Sequence, residues 1–275
     1  MSSTQSTSPQ ALPEAALTLA QEMADEARTI IKRYFRTRPA VDAKGDASPV
    51  TIADREVERM MRERIEASFP DHGIKGEEFA HRNPQAEWCW HLDPIDGTKS
   101  FLSGSLCFGT QIALSHHGEP VLGLIDQPIT GERWLASTCR SSVLNDQPIR
   151  TSACTELATA VLYTSDPACL QPGQVAAFER LRQAISVTRY SHDCYAAGLL
   201  ALGQIDLLVE ANVYPYDIAA QIPVIEGAGG IVTDWQGNPL QLDGRVNVLA
   251  AANAALHAKA LAMLNAGTGA LSSTR

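Results

Sequence analysis

The sequence lacks several features that would place the protein in a membrane or outside the cell. It contains no run of about 18 apolar residues, the length that a membrane-spanning helix needs. Its first ten residues, MSSTQSTSPQ, have neither the basic stretch nor the apolar core of a secretory signal. Its six cysteines form no CxxC pair and suggest no disulfide framework, which is typical of free thiols in a reducing compartment. We therefore expect a cytoplasmic protein with no membrane partner.

Positive charge is also scarce. The chain has 22 Lys and Arg against 31 Asp and Glu, a formal net charge of -9. Because an acidic surface repels nucleic-acid phosphates and anionic lipids, we expect neither as a partner. The 45% of hydrophobic and 19% of charged residues, over 275 residues, are those of an ordinary globular protein with a sizeable core.

The pattern along the chain predicts an α+β protein. Residues 1–12 are rich in Ser, Thr, Gln and Pro, and we expect them to be disordered. Apolar residues then recur at helical spacing over Ala15–Arg36 and Ile52–Ser68, and Thr51 with Asp54 forms a variant of the capping box.

A change of pattern follows these two helices. Short apolar segments separated by turns between Trp88 and Ser137 predict an antiparallel meander. After residue 150, strands and helices alternate, including a predicted helix over Asp217–Ala228. This favours two αβ layers, residues 13–150 and 151–275, packed as one catalytic unit.

The most informative stretch is HLDPIDGTKSF, residues 91–101. Asp93 and Asp96 follow an apolar segment, and Gly97 and Thr98 come directly after them. Two carboxylates on one turn suit Mg²⁺, and free N–H groups of Gly97 and Thr98 suit a phosphate if a helix begins there. For an isolated DxxDG, an Asp-rich turn with capping roles is the alternative interpretation.

Further carboxylates occur elsewhere in the chain, each with an ordinary alternative role. Glu77 and Glu78 lie in a Gly-flanked KGEEF loop and would otherwise be a solvated pair. Asp54 lies on the second predicted helix, where it would otherwise be solvated or have a capping role, and Asp217 opens a predicted helix, where it would serve as the N-cap. Spacing alone does not show that these side chains converge.

Taken together, TIADREVE, GEE, LDPIDGTKSF and YPYDIAA…EGAGG resemble the inositol monophosphatase-like superfamily of Mg²⁺-dependent, lithium-sensitive phosphatases. The resemblance covers about residues 15–265. It implies a layered α-β-α-β-α sandwich, a homodimer, a small phosphorylated alcohol as substrate, and two or three Mg²⁺ ions, for which Mn²⁺ can substitute.

The resemblance also implies roles for individual residues. Metal ligands would be Glu77, Asp93, the carbonyl of Ile95, Asp96 and Asp217. Thr98, supported by Asp54 and Glu77, would orient and activate the attacking water. Lys44 would lie near the metals and the phosphate. Gly97 and Thr98 would bind the phosphate. Tyr216 stands where many members have Trp.

Another group of residues is similar to the histidinol-phosphate phosphatase branch of that superfamily. These are GLIDQPITGERW, SHDCYAAG with Asp193, and Glu210, although His192 stands where that branch usually has Gly. Asp193 and Glu210 would bind the ammonium and imidazole groups of L-histidinol phosphate through charge-assisted hydrogen bonds. Alternatively, Asp193 caps a helix that begins near Ala196, and Glu210 is a charge at a strand end.

The sequence thus predicts hydrolysis of L-histidinol phosphate to L-histidinol and phosphate, a step of histidine biosynthesis, by metal-activated water. An inositol-1-monophosphatase or a broad small-molecule phosphatase is the alternative, with fructose-1,6-bisphosphatase and nucleotide 3′-phosphatase activities less favoured. A more remote alternative is a non-catalytic protein that regulates by binding, as some members of the superfamily do. The complete carboxylate set and Thr98 favour catalysis.

Overall fold

The computed structural model describes residues 12–37, 41–43 and 49–266, with the backbone alone at residues 41–43, 49 and 50. The predicted disordered segment, residues 1–12, lies outside this part of the chain except for Leu12, and so does Lys44.

Among the described residues, the strands form a two-stranded, a seven-stranded and a five-stranded sheet. The strands are β1 (Val41–Ala43), β2 (Pro49–Thr51), β3 (Gly73–Gly76), β4 (Trp88–Asp96), β5 (Gly109–His116), β6 (Glu119–Gln127), β7 (Glu132–Ser137), β8 (Arg140–Leu144), β9 (Gln147–Pro148), β10 (Val161–Thr164), β11 (Val187–Tyr190), β12 (Leu207–Val213), β13 (Ile231–Thr233) and β14 (Val246–Ala251). The seven-stranded sheet has the order β3-β4-β5-β6-β7-β8-β9, and the five-stranded sheet has the order β11-β10-β12-β14-β13.

The α-helices lie in three layers around the two large sheets. They are α1 (Glu14–Tyr34), α2 (Ile52–Ser68), α3 (Thr98–Ser103), α4 (Pro172–Gln183), α5 (Asp193–Ala201), α6 (Pro215–Ile218), α7 (Gln221–Glu226) and α8 (Ala254–Asn265). Helices α1 and α2 cover one face of the seven-stranded sheet, α5 and α7 lie between the two sheets, and α4 and α8 cover the outer face of the five-stranded sheet. The predicted α-β-α-β-α sandwich is confirmed.

Strand periodicity explains why the layers stack in this order. In β5, Ile112 and Leu114 belong to the apolar core under α1 and α2, whereas Ala113 between them belongs to the core under α5 and α7. Successive side chains point to opposite faces of a strand, so an apolar strand of this kind must be covered on both sides. A third core fills the space between the five-stranded sheet and α4 and α8.

Both predicted N-terminal helices are confirmed, α2 with the predicted bounds and α1 with small shifts of its ends. Helix α2 begins after Thr51, whose hydroxyl accepts a hydrogen bond from the Ala53 amide, while the Asp54 carboxylate accepts from the Thr51 amide at 2.9 Å. This is the predicted variant of the capping box, with Asp at the third helical position.

The predicted helix over Asp217–Ala228 is wrong as a single helix. The structure has α6 and α7 in its place, separated at Ala219 and Ala220. Pro223 has no N–H to donate to the carbonyl four residues earlier, and its ring would clash with that carbonyl, so the first helix cannot continue.

Two further differences concern strands. The strand predicted over Trp88–Leu92 continues to Asp96, and β1, β2, β3, β8 and β9 were not predicted. The seven-stranded sheet is built from residues 73–148 and the five-stranded sheet from residues 161–251. The division of the chain near residue 150 into two units stays a prediction.

Candidate active site

A bulge in β4 brings Asp93 and Asp96 to the same side of the sheet. Asp93 pairs with Gln111 and Asp96 with Gly109, so three steps along β4 correspond to two along β5. In a regular strand, residues three apart face opposite sides, and an extra residue in one strand reverses that parity. The Asp93 side chain is buried, and that of Asp96 is half-buried.

Helix α6 supplies the third carboxylate, Asp217. Asp217 is the third residue of α6, not its N-cap, and its Oδ2 accepts a hydrogen bond from the Tyr214 amide at 2.8 Å. The side-chain amides of Gln111 and Gln221 donate to the Asp217 carbonyl at 2.8 and 2.6 Å. Carboxylate oxygens of Asp93, Asp96 and Asp217 lie within 4.8 Å of one another.

Glu77 reaches the same cavity from the loop after β3. The neighbouring Glu78 amide donates to Oε2 of the buried Glu58 at 2.7 Å, and Glu58 is paired with Arg62 one helical turn later at 2.7 Å. Gly76 lies so close to the Glu58 carboxylate that a Cβ atom at position 76 would overlap it. Glu58 therefore holds the GEE loop in place through backbone contacts.

Gly97 turns the chain from β4 into α3. Its φ of 87° is in the left-handed region, and a Cβ atom there would lie 2.7 Å from Oδ2 of Asp193. Helix α3 begins at Thr98, as the phosphate-binding interpretation of DGT requires, and the Thr98 hydroxyl donates to the Ile95 carbonyl at 3.1 Å. This short turn places the Ile95 carbonyl and the Thr98 hydroxyl beside the carboxylates.

Asp193 and Glu210 form a second acidic part of the site. Oε1 of Glu210, on β12, accepts hydrogen bonds from the amide and hydroxyl of Ser165 at 2.8 and 2.9 Å. Oδ2 of Asp193 accepts from the Ser100 hydroxyl at 3.3 Å. Asp193 is the first residue of α5 and His192 is the N-cap, so the interpretation of Asp193 as the cap of a helix near Ala196 is wrong.

One cavity of about 170 Å³ collects most of the predicted residues. Its walls include Glu77, Asp93, Ile95, Asp96, Gly97, Thr98, Asp193, Glu210 and Asp217. Asp54, in contrast, is fully buried within its capping box; burial raises its pKa, and the charge of Glu77 contributes in the same direction.

Negative charge is concentrated in this cavity at high electrostatic cost. Burial first, and then the charges of Glu77 and Asp96, raise the pKa of Asp93 well above its ordinary value. Burial also raises the pKa of Asp96, with contributions from Asp193 and Asp217. Oδ1 of Asp93 is buried and finds no hydrogen-bond partner among the described residues. Such an oxygen-only donor set fits a hard divalent cation, which would neutralise the repulsion.

The pKa values of the two other carboxylates that line the cavity, Asp193 and Glu210, are shifted in the same direction. Burial raises the pKa of Asp193 to about 6 and that of Glu210 to about 8. Both hydroxyl groups that bind them, those of Ser100 and Ser165, escaped the sequence analysis. Single serines carry no recognisable spacing, whereas Glu58 could have been found from its i, i+4 pairing with Arg62 on a predicted helix.

Comparison with known proteins gives consistent matches over most of the chain. A sequence model of the inositol monophosphatase family matches residues 13–267. The bifunctional phosphatase IMPL2 of Arabidopsis thaliana, a chloroplastic protein, is 43% identical over 88% of this chain and 72% of its own length. A histidinol-phosphatase of Chlorobaculum parvum is 36% identical over 91% of this chain and 97% of its own.

Among solved structures, an inositol monophosphatase from Zymomonas mobilis superposes with a TM-score of 0.85. It is 41% identical, and the match covers 93% of this chain and 100% of that one. In the part of the chain that the structure describes, every helix is too short or too polar to cross a membrane.

Proposed function

The chain belongs to the inositol monophosphatase family and is a metal-dependent phosphomonoesterase, and from that premise we propose that it hydrolyses L-histidinol phosphate with Mg²⁺ as its cation. The proposal extends to histidine biosynthesis as the pathway, the cytoplasm as the compartment and a homodimer as the assembly. For the pathway, its support is the similarity to histidinol-phosphatases.

The observation that carries the choice of substrate is the pair of carboxylates Asp193 and Glu210 in one cavity with Asp93, Asp96 and Asp217. The raised pKa values of Asp193 and Glu210 mean that the ionised forms lack sufficient compensating positive charge. A ligand with an ammonium or imidazolium group would supply that charge through hydrogen bonds to carboxylate oxygens. Inositol has only hydroxyl groups and would leave the charge uncompensated.

The proposed metal ligands are Glu77, Asp93, the Ile95 carbonyl, Asp96 and Asp217. When bound there, Mg²⁺ would neutralise phosphate oxygens, lower the pKa of a bound water and stabilise the leaving alkoxide. The requirement for such a cation follows from the chain itself, since four carboxylates and a carbonyl line one cavity, where burial and the charges of neighbouring carboxylates raise the pKa values of Asp93 and Asp96.

Thr98 and Glu77 are the groups that we propose to hold the attacking water. The Thr98 hydroxyl donates a hydrogen bond to the Ile95 carbonyl, so the lone pairs of the hydroxyl oxygen point away from that carbonyl and can accept a hydrogen bond from water. A carboxylate at Glu77 would accept the other proton of the water. Asp54 would support this arrangement from α2, and the amides of Gly97 and Thr98 would bind phosphate oxygens, together with Lys44.

Comparative kinetics at saturating Mg²⁺ tests the choice of substrate. We expect wild type to have a higher kcat/KM for L-histidinol phosphate than for inositol 1-phosphate. Glu210→Gln and Asp193→Asn should lower kcat/KM for histidinol phosphate by about 10- to 100-fold, since one charge-assisted hydrogen bond contributes about 1.5–3 kcal/mol. The same variants should change kcat/KM much less for β-glycerophosphate, a phosphate monoester whose alcohol part carries no cationic group.

An inositol-1-monophosphatase or a broad small-molecule phosphatase remains the second candidate, favoured by the 41% identity to the inositol monophosphatase from Zymomonas mobilis. A higher kcat/KM for inositol 1-phosphate, unaffected by Glu210→Gln, would establish that candidate instead. The convergence of the carboxylates disfavours a purely regulatory binding role. If an Asp96→Ala variant without phosphatase activity kept its full biological function, that result would support the regulatory role.

A further inference from the structure

A second cluster of metal-ligating side chains lies outside the cavity that contains the catalytic carboxylates. Glu87, His116 and His117, named the hairpin cluster here, present one carboxylate oxygen and two imidazole nitrogens that lie within 4.8 Å of one another. We propose that the hairpin cluster binds one Zn²⁺ ion.

The backbone around the hairpin cluster is fixed before any metal binds. His117 and Gly118 form the two-residue turn between β5 and β6, and their φ angles of 50° and 84° are both positive, as a type I′ turn requires. The His117 amide donates to the Glu87 carbonyl at 2.8 Å. His116 pairs with Trp88, the residue after Glu87, across the β4–β5 ladder.

The distances between the ligand atoms of these side chains are also close to those in a zinc site. Nε2 of His116 is 2.9 Å from Oε1 of Glu87, and Nε2 of His117 is 3.8 Å from the same oxygen. Zinc bonds of about 2.0–2.1 Å in a tetrahedron give a ligand-to-ligand distance of about 3.3 Å, between these two values. Stacking of the His116 ring on Trp88, with centroids 4.2 Å apart, restricts its orientation.

Metal binding at the hairpin cluster requires that the proton of the His116 ring lie on Nδ1 and not on Nε2. The hydrogen bond between His116 Nε2 and Glu87 would be lost, with the His116 proton held on Nδ1, so that Nε2 can coordinate. The side chains of His117 and Glu87 are 69% and 51% exposed, so water can occupy the remaining position on the metal. Three protein ligands with one open position are a common arrangement for Zn²⁺.

Ligand chemistry separates this site from the carboxylate site. Two imidazoles favour Zn²⁺ over Mg²⁺, whereas the catalytic cavity offers oxygen atoms, which suit Mg²⁺. The two sites lie at opposite ends of the nine-residue strand β4, from Trp88 to Asp96, and are therefore separated by about 26 Å. Zinc at the hairpin cluster would join the start of β4 to the β5–β6 turn.

The test is calorimetric titration of untagged protein with Zn²⁺ alone in saturating Mg²⁺. We expect one equivalent of zinc to bind to wild type. His117→Asn keeps a residue that favours positive φ and removes the ligand, and Glu87→Gln keeps a hydrogen-bond acceptor for His116. Each should weaken zinc binding by at least about tenfold. The exposed His81, outside the cluster, provides the matched control, and His81→Asn should bind zinc as wild type does.

A second measurement covers the possibility that a variant fails to fold. Because His116 stacks on Trp88, Cu²⁺ at the cluster should quench Trp fluorescence in wild type, and Trp88→Phe should lose most of that quenching. Absence of a zinc equivalent in wild type would overturn the proposal. So would unchanged zinc binding in a folded His117→Asn, or loss of the zinc equivalent in Asp96→Asn, which would assign the ion to the catalytic cavity.

Discussion

The Cys194 amide donates a hydrogen bond to Oδ2 of Asp96, a residue 98 positions earlier in the chain. This bond connects the first turn of α5 to the end of β4, so the two halves of the chain meet at one of the proposed metal ligands. Asp193, one residue before Cys194, lies against Gly97, one residue after Asp96. The contact between the start of α5 and the end of β4 therefore positions both Asp96, proposed to bind the cation, and Asp193, proposed to bind the substrate amine.

Asp93→Asn should reduce kcat by about 10³-fold or more. The buried Asp93 carboxylate is central among Glu77, Asp96 and Asp217, and its loss removes charge that the cation needs. The variant should also lose most of the Mg²⁺-dependent rise in Tm, while its Tm in EDTA stays equal to or above that of wild type because one repulsive carboxylate is gone.

Enzyme assays and thermal scans with and without Mg²⁺ check this prediction for Asp93. Asp71→Asn, a change at an exposed carboxylate, is the control and should behave as wild type does. Near-normal turnover of Asp93→Asn at low Mg²⁺ would contradict the assignment of Asp93 as a metal ligand.

Gly76→Ala should unfold the GEE loop locally and weaken Mg²⁺ binding. The added methyl group would overlap the buried Glu58 carboxylate, which would have to move away from the Glu78 amide and from Arg62. We expect a loss of about 2–4 kcal/mol in the free energy of unfolding, since a buried ion pair and a buried hydrogen bond are both disturbed.

Urea unfolding of the glycine variants measures this loss. Gly173→Ala is the matched control, because a Cβ atom there meets nothing within 4 Å and the residue lies in the first turn of α4. Equal stability of the two variants would show that the contact between Gly76 and Glu58 does not constrain the loop.

Glu210→Gln should stabilise the metal-free protein at alkaline but not at acidic pH. Burial, with the charges of Asp193 and Asp217, raises the pKa of Glu210 from 4.5 to about 8. Between these values the unfolded chain releases a proton that the folded chain retains, so the stability of wild type falls as pH rises through this range and the loss is complete above pH 8.

Urea unfolding in EDTA at pH 4.5 and pH 8.5 measures the effect of Glu210→Gln. Because part of the Glu210 side chain is exposed to the cavity, we expect the variant to exceed wild type by at most about 3 kcal/mol at pH 8.5, and by little at pH 4.5. A stability difference that is the same at both pH values would mean that Glu210 does not titrate in this range.

Local sequence determined most of the helices and most of the strands. The apolar spacing of α1 and α2, the capping box at Thr51 and the meander from β4 to β7 all follow from interactions within a few residues or between adjacent strands. The same spacing arguments failed over residues 217–228, where a long apolar stretch resembled one helix and the backbone chemistry of Pro223 decided otherwise.

The identity of the acidic residues was likewise available from the sequence, but their convergence was not. Glu77 lies 16 residues before Asp93, and Asp217 lies 121 residues after Asp96, and these spacings hold no information on distance in space. The β4 bulge, which turns Asp93 and Asp96 to one side, and the hydrogen bond from Cys194 to Asp96 arise only when strands pair and layers pack. Raised pKa values have the same origin, because burial and neighbouring charge depend on which distant segments surround a group.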